Sequence, residues 1–417
     1  MSGLKTMMKS MLPMFLGLVL LGCAPPDQPL PEVDKSKREL VVQSGNQFTV
    51  KMYKHLATKQ DGNLFLSPYS ISTALTMAYA GAKGETAKEM ANTLSFAEDR
   101  DKLHTANSWL MINLNNRGNK GHFQLSIANR LFGQKGLTFV PDFLSILEEK
   151  YLTELGDVDF KADPEKARKE VNQWVEKKTN QRIKDLMPPN SIDGGTRLVL
   201  ANALYFKGTW KEKFDKSSTA PRNFFKNGTQ EIQVPTMRNG EAKKVTLAET
   251  TDARIAELPY IGDSISMVIV LPKAKDGLGA IESKMTDATL KEWLAKKQNK
   301  GSVNLTLPTF KMTSKFSLKK NLEELGMKKA FDEQQADFSG ITKELQLYIA
   351  AVEHKAFVEV NEEGTEAAAA TGISFGATSA PITQDFHVDR PFLFLIVDKE
   401  TQSVLFIGRV TDPSAAK

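Results

Sequence analysis

The sequence predicts an α+β protein built around one large core. Helical patterns gather in the first half and strand patterns in the second, an order that argues against alternating βαβ units. No Pro/Gly/Ser-rich break and no internal repeat divides residues 40–413, so the 417-residue chain reads as a single folded domain behind a short leader. Its last two apolar runs, 392–397 and 403–410, are separated by a polar turn centred on Asp398-Lys399-Glu400-Thr401-Gln402 and predict a buried hairpin.

At the N-terminus, Lys5 and Lys9 precede an apolar run from Met11 to Leu21 that is too short to span a membrane and reads as a signal peptide. It ends in Leu20-Leu21-Gly22-Cys23-Ala24, which resembles the bacterial lipobox, whose cysteine becomes the lipidated first residue. The expectation is a lipoprotein signal over 1–22, a lipidated Cys23 with a disordered, proline-bearing tether over 23–39, and a folded domain over 40–413. The placement implied is export, with a lipid anchor on a bacterial envelope or release outside the cell. Cys23 is the only cysteine, so no intramolecular disulfide can form.

Within the domain, Phe48, Met52 and Leu56 share one helical face. Ser70 can cap the next helix, which carries Ile71, Leu75 and Ala78. Ala167, Val171 and Trp174 mark a further amphipathic helix. Leu318, Leu322 and Leu325 mark another, with Gly326 placed to end it. Strands are predicted at 198–206, 265–271, 303–310, 355–361, 392–397 and 403–410.

Net charge is +5, but cations and carboxylates are interspersed, and no basic stripe with interleaved aromatics supports nucleic-acid binding. One cysteine, five scattered histidines and no H-E-x-x-H give no metal or cofactor motif. Gly372-Ile373-Ser374-Phe375-Gly376 matches G-x-S-x-G, with Asp385 and His387 following, but that motif needs a strand, a sharp turn and a helix. Here an alanine run precedes Ser374 and Pro381 follows, which opposes a helix and hence a hydrolase.

That alanine run carries the most information. After Ala356-Phe357-Val358-Glu359-Val360, the chain continues Glu362-Glu363-Gly364-Thr365-Glu366-Ala367-Ala368-Ala369-Ala370-Thr371. Alanine favours helix. As a strand, the segment would instead put Thr365, Ala367, Ala369, Thr371, Ile373 and Phe375 on one face. Glu366, Ala368, Ala370, Gly372, Ser374 and Gly376 would lie on the other. The segment can be a surface helix, or an exposed loop able to become a strand.

This stretch resembles the reactive-loop hinge of the serpins. Three further motifs carry the same likeness: Asn63-Leu64-Phe65-Leu66-Ser67-Pro68-Tyr69-Ser70-Ile71-Ser72, Leu200-Ala201-Asn202-Ala203-Leu204-Tyr205-Phe206-Lys207-Gly208-Thr209-Trp210, and Phe386-His387-Val388-Asp389-Arg390-Pro391-Phe392-Leu393-Phe394-Leu395-Ile396. The resemblance implies a serpin fold, with a large central sheet, smaller sheets, surrounding helices and a mobile loop at about 362–390. It implies a monomeric, irreversible suicide-substrate inhibitor of serine or cysteine endopeptidases that forms a covalent acyl complex and is not itself an enzyme.

The hinge would be Glu362, Glu363, Gly364, Thr365, Glu366, Ala367, Ala368, Ala369 and Ala370. Counting 14 residues on from Gly364 sets the reactive bond at Thr378–Ser379, with Ala377–Thr378 the next candidate. Phe375, Gly376 and Ala377 would help set specificity. No Lys or Arg lies between Ala367 and Val388, which favours elastase-like or subtilisin-like targets over trypsin-like ones. By the same resemblance His354 bonds Asn202 in mid-sheet with Ser67 and Ser70 beneath. Asn63 and Trp210 join the residues controlling sheet opening, although Trp210 can equally be a core aromatic. The stretch 101–117, where some serpins bind polyanions, is not strongly basic. The alternative is a non-inhibitory serpin acting as a binding or chaperone-like protein.

Overall fold

The structure, a computed structural model, describes residues 27–96, 100–242, 244–295, 298, 301–365 and 383–415. The chain opens with α1 (Lys35–Ala57), β1 (Leu64–Leu66), α2 (Pro68–Gly81), α3 (Gly84–Leu94) and α4 (Arg100–Asn119). Next come β2 (Phe123–Gln134), α5 (Pro141–Tyr151), β3 (Gly156–Val158), α6 (Pro164–Lys178) and β4 (Leu198–Thr209). The middle holds β5 (Ala220–Lys226), β6 (Gln230–Ala242), β7 (Thr246–Glu249), β8 (Ala253–Pro259), β9 (Ile265–Pro272), α7 (Leu278–Ser283) and α8 (Asp287–Leu294). The last part holds β10 (Ser302–Pro308), β11 (Phe310–Ser317), α9 (Lys319–Glu324), β12 (Ala351–Asn361), β13 (Gly364–Thr365), β14 (Thr383–His387), β15 (Phe392–Asp398) and β16 (Val404–Val410).

These strands form three sheets. The main sheet runs β11-β12-β13-β4-β2-β3; a second runs β1-β16-β15-β9-β8-β7 and contains the expected C-terminal hairpin; a third runs β14-β10-β6-β5. Alternation along β4 divides the core. Leu198, Leu200, Leu204 and Phe206 join the large cluster on the second sheet and α2, whereas Val199, Ala201, Ala203 and Tyr205 meet α6 through Val171 and Val175. Alanines at 201 and 203 leave room for the helix to lie close against the sheet.

Some local expectations change. The helix cap before α2 is Ser67, not Ser70: its hydroxyl accepts the Ser70 N–H at 3.1 Å, and Pro68 occupies the first turn, where no N–H is needed. The strand expected at 303–310 is two strands meeting at Thr309. The tether expected over 23–39 ends sooner, because α1 begins at Lys35, and Val33 before it is already buried in the core. Residues 1–26, Cys23 among them, lie outside the described residues.

Candidate functional site

The central feature of the main sheet is a change of neighbours along β12. From Ala351 to Phe357 it pairs in parallel with β4, from Val199 to Tyr205. Above that, β13 wedges in antiparallel to both: Thr365 lies opposite Val360 on β12 and Gly208 on β4, and Gly364 lies opposite Asn361 and Thr209. Gly364 and Thr365 therefore already stand as a short strand at one end of the sheet, and the sheet below them is closed.

Local chemistry fixes this wedge. Gly364 has φ +146°, and a Cβ there would stand 2.0 Å from the Gly208 carbonyl oxygen, so only glycine lets the chain approach β4 this closely. The Trp210 and Phe214 N–H groups donate to the Glu363 and Glu362 carbonyls at 2.9 and 3.0 Å, and the Trp210 indole N–H donates to the Asn361 carbonyl at 2.9 Å. Thr219 donates its hydroxyl to the Glu362 carboxylate at 2.7 Å. Glu363 pairs with Lys213 at 2.7 Å and Lys216 at 3.3 Å, and the bonded Lys213 ammonium holds its carboxyl below the usual range. Thr365 is fully buried, its Oγ1 2.7 Å from the Tyr260 hydroxyl. Tyr260 stacks on Trp210 at 4.6 Å, so Trp210 is a core aromatic packed directly beside β13.

Farther down, a polar row crosses three strands. Register puts His354 of β12 opposite Asn202 of β4, and Asn202 opposite Asn129 of β2. The Ser67 N–H donates to His354 Nε2 at 3.1 Å, which leaves Nδ1–H to donate to Asn202 Oδ1. The Asn202 amide donates to Ser70 Oγ at 2.7 Å and Asn129 Oδ1 at 2.5 Å. Ser70 donates to Asn129 Oδ1 at 2.9 Å, and the Asn129 amide donates back to the Ser70 carbonyl at 3.1 Å. Every member thus has partners in a buried site. Burial pushes the His354 imidazole down to about 3, so it is neutral at physiological pH.

The sequence reading missed Asn129, because β2 mixes polar and apolar residues too irregularly to mark itself as a strand; a lone asparagine between Ala128 and Leu131 was the available signal. Asn63 stands apart from this row. Its carboxamide is committed to the C-terminal segment, accepting from Thr411 and Asp412 N–H at 2.8 and 3.0 Å and donating to the Asp412 carbonyl at 2.7 Å. It closes the junction between β1 and the end of β16 and takes no part in the row.

Glu366, Ala367, Ala368, Ala369, Ala370, Phe375, Gly376, Ala377, Thr378 and Ser379 lie outside the described residues, as does Ser374. Asp385 and His387 stand on one exposed face of β14, 3.6 Å apart, beside Asn304 and Thr306 of β10. Among the described residues no group of histidine, cysteine and carboxylate side chains is arranged to hold a metal.

Comparison with known proteins agrees with this geometry. Residues 43–413 match the family model described as Serpin (serine protease inhibitor). The chain is 36% identical to Serpin B3 of Homo sapiens, over 89% of this chain and 99% of that protein, and 39% identical to Serpin B8 of Homo sapiens, over 88% and 97%. It is 40% identical to a leukocyte elastase inhibitor of Xenopus laevis, over 84% and 93%. Among solved structures, a highly specific serpin of the insect Tenebrio molitor superposes with TM-score 0.80 at 35% identity, over 91% of this chain and 99% of that one; maspin superposes with TM-score 0.82 at 28% identity, over 91% and 100%. These relatives correct one expectation. They are animal proteins matched almost end to end by the folded part of this chain, which points against an exported, lipid-anchored place on a bacterial envelope.

Proposed function

The chain belongs to the serpin family, and from that premise we propose that it is a suicide-substrate inhibitor of serine endopeptidases. The observation that carries the proposal is the wedge of Gly364 and Thr365 between β12 and β4 above a closed sheet. It is a strand already begun, in line with a gap that can open. A protease would attack the carbonyl of Thr378; the bond to the Ser379 nitrogen breaks, and an acyl-enzyme forms. The freed segment then extends β13 downward, parting β12 from β4. Insertion carries the acyl-enzyme with it before water can deacylate it, and distortion of the protease's oxyanion hole completes the trap.

The moving distance is large. From Thr365 to Thr378 the chain spans 14 residues, which as a strand is on the order of 45 Å. Each inserted residue gains backbone bonds of ~0.5–1.5 kcal/mol net, opposed by ordering entropy of ~1–2 kcal/mol. Burial of Ile373 and Phe375, at ~1.5–3 kcal/mol each, would tip that balance. Small side chains at 367–370 let the first turns of the motion proceed without steric resistance, and they favour inhibition over a binding-only role.

The loop sequence favours elastase-like or subtilisin-like targets. The test is a panel of purified serine proteases, with a cysteine protease included, scored for complexes that survive boiling in detergent. A target captured in a stable complex supports the reading. Cleavage of the loop by every protease, with no complex, would leave the chain a substrate.

A further inference from the structure

The segment before α1 is fastened to the end of α4. The Gln28 N–H donates to Asn116 Oδ1 at 2.9 Å, and the Asn116 amide donates to the Gln28 carbonyl at 2.8 Å, so one side chain grips both polar groups of one backbone unit. At its other end the segment is sewn to α1. Val33 is buried, its carbonyl accepts from Arg38 Nε at 2.8 Å, and the Arg38 guanidinium lies over the Trp109 ring of α4 at 4.5 Å. Pro29 and Pro31 between these points reduce the entropy lost on fastening.

The place of attachment gives this clamp its leverage. Asn116 sits in the last turn of α4, and β2 starts at Phe123, a few residues on. From Phe123 to Gly133, β2 is laddered to β4. When β4 steps away from β12, β2 moves with it, and the short link pulls on the end of α4. The same turn is held on its other side by Arg117, bonded at 2.6 Å to the buried Asp398 of β15. Gln28 also borders a cavity of about 600 Å³ whose other wall includes Phe123, Lys207 and Thr209, the last being the β4 partner of Gly364. The segment thus ends beside the strand that must move.

We propose that residues 27–34 are a strap that holds the main sheet closed and lengthens the life of the uninserted form. The inference rests on the insertion reading given under Proposed function. Removing the strap frees the end of α4 to follow β2, and the loop then enters the sheet spontaneously, without a protease, more often.

Three full-length variants test it: Asn116→Ala loses both bonds, Gln28→Pro loses the donor alone, and Gln28→Ala keeps both. Each is incubated at 37 °C without protease. Conversion to a heat-resistant form is followed by tryptophan fluorescence and by melting of withdrawn samples. Asn116→Ala should convert faster than wild type by on the order of 3- to 30-fold, the loss of one to two net hydrogen bonds. Gln28→Pro should fall between, and Gln28→Ala should match wild type. Equal conversion rates in all four proteins overturn the strap. So does a lowered melting temperature in Asn116→Ala with an unchanged conversion rate, because the bonds would then be merely structural. Freshly made proteins are assayed beside these for protease complexes; failure there in wild type would reject the inhibitory reading instead.

Discussion

Thr365→Arg should convert the inhibitor into a substrate. In the resting structure Thr365 is fully buried, paired to Val360 and Gly208, with its hydroxyl on Tyr260. The slot has no spare room: a Cβ added at the neighbouring Gly208 would stand 2.7 Å from the Tyr260 ring and 2.8 Å from Phe206. An arginine must either force its charge into this slot or leave it and give up the pairing on both sides. A buried, unpaired charge costs ~3–5 kcal/mol. If that cost falls on the insertion step, insertion slows on the order of 100- to 4000-fold, at tenfold for each ~1.4 kcal/mol. Deacylation then overtakes it.

The assay is the number of inhibitor molecules consumed per protease molecule inactivated, with the products separated on a denaturing gel. Wild type should stay near one, whereas the arginine variant should rise at least tenfold and yield cleaved inhibitor instead of complex. Thr365→Val is the control. It keeps the size and loses only the bond to Tyr260, an unsatisfied hydroxyl worth ~1–3 kcal/mol, and should keep most of the inhibition. An arginine variant that traps protease at wild-type stoichiometry would refute the insertion argument.

Other outcomes follow from the same geometry. Thr378→Arg should recruit trypsin-like proteases and weaken elastase-like inhibition; mass analysis of the released C-terminal peptide checks the register, and a fragment starting at neither Ser379 nor Thr378 rejects it. Asn129→Ala should destabilise the resting form about as much as Asn202→Ala, by ~1–3 kcal/mol, and the double variant should lose less than the sum in denaturant melts because the two share one network. Glu353, buried on β12 beside His354, is pushed up to about 6 by burial, with the Ser317 hydroxyl and the Lys315 cation of β11 opposing. A carboxyl raised in the folded state costs nothing below its unfolded value near 4.5, and its full penalty is present once pH has risen through 6. Glu353→Gln should therefore raise the melting temperature relative to wild type at pH 7.5 and lose that advantage by pH 4.5; an equal gain at both pH values would exclude titration of this group.

Much of the fold was legible because the strongest patterns answer to local rules. Val404–Val410 and Phe392–Asp398 are apolar apart from Arg409 and Asp398 near their ends and are buried on both faces, so a run of apolar residues marks them. Gly326, at φ +112°, ends α9 as expected. What escaped depends on contacts distant in sequence. β2 carries Gln124, Ser126, Asn129 and Arg130 among its apolar residues, and its place beside β4 comes from the ladder rather than from any period of its own. The tether reading failed for a similar reason. Proline and charge suggest an unfastened segment, yet Asn116, 88 residues away, supplies the partner for Gln28. The site divides along the same line: the hinge and His354 stand in contiguous motifs, whereas Asn129, Tyr260 and Lys213 are joined to it only by the fold.

On the proposed mechanism, the resting sheet would make insertion favourable and yet hold it back. Between Ala351 and Phe357 the strands β12 and β4 are parallel, and β13 above them is antiparallel to both. Extending β13 replaces one parallel ladder with two antiparallel ones, which are slightly more stable per residue. The product therefore has more backbone bonds of a better kind. The route to it is uphill first. The parallel ladder must break, the His354–Asn202 bond with it, before the new strand can pair at that level. The polar row lies six residues below the wedge, from Val360 to His354 on β12, so it must part before the middle of the inserting segment can pair. Under the insertion reading, such an arrangement would store the free energy of insertion behind a barrier set by a few residues, and cutting the loop would supply the free end needed to cross it.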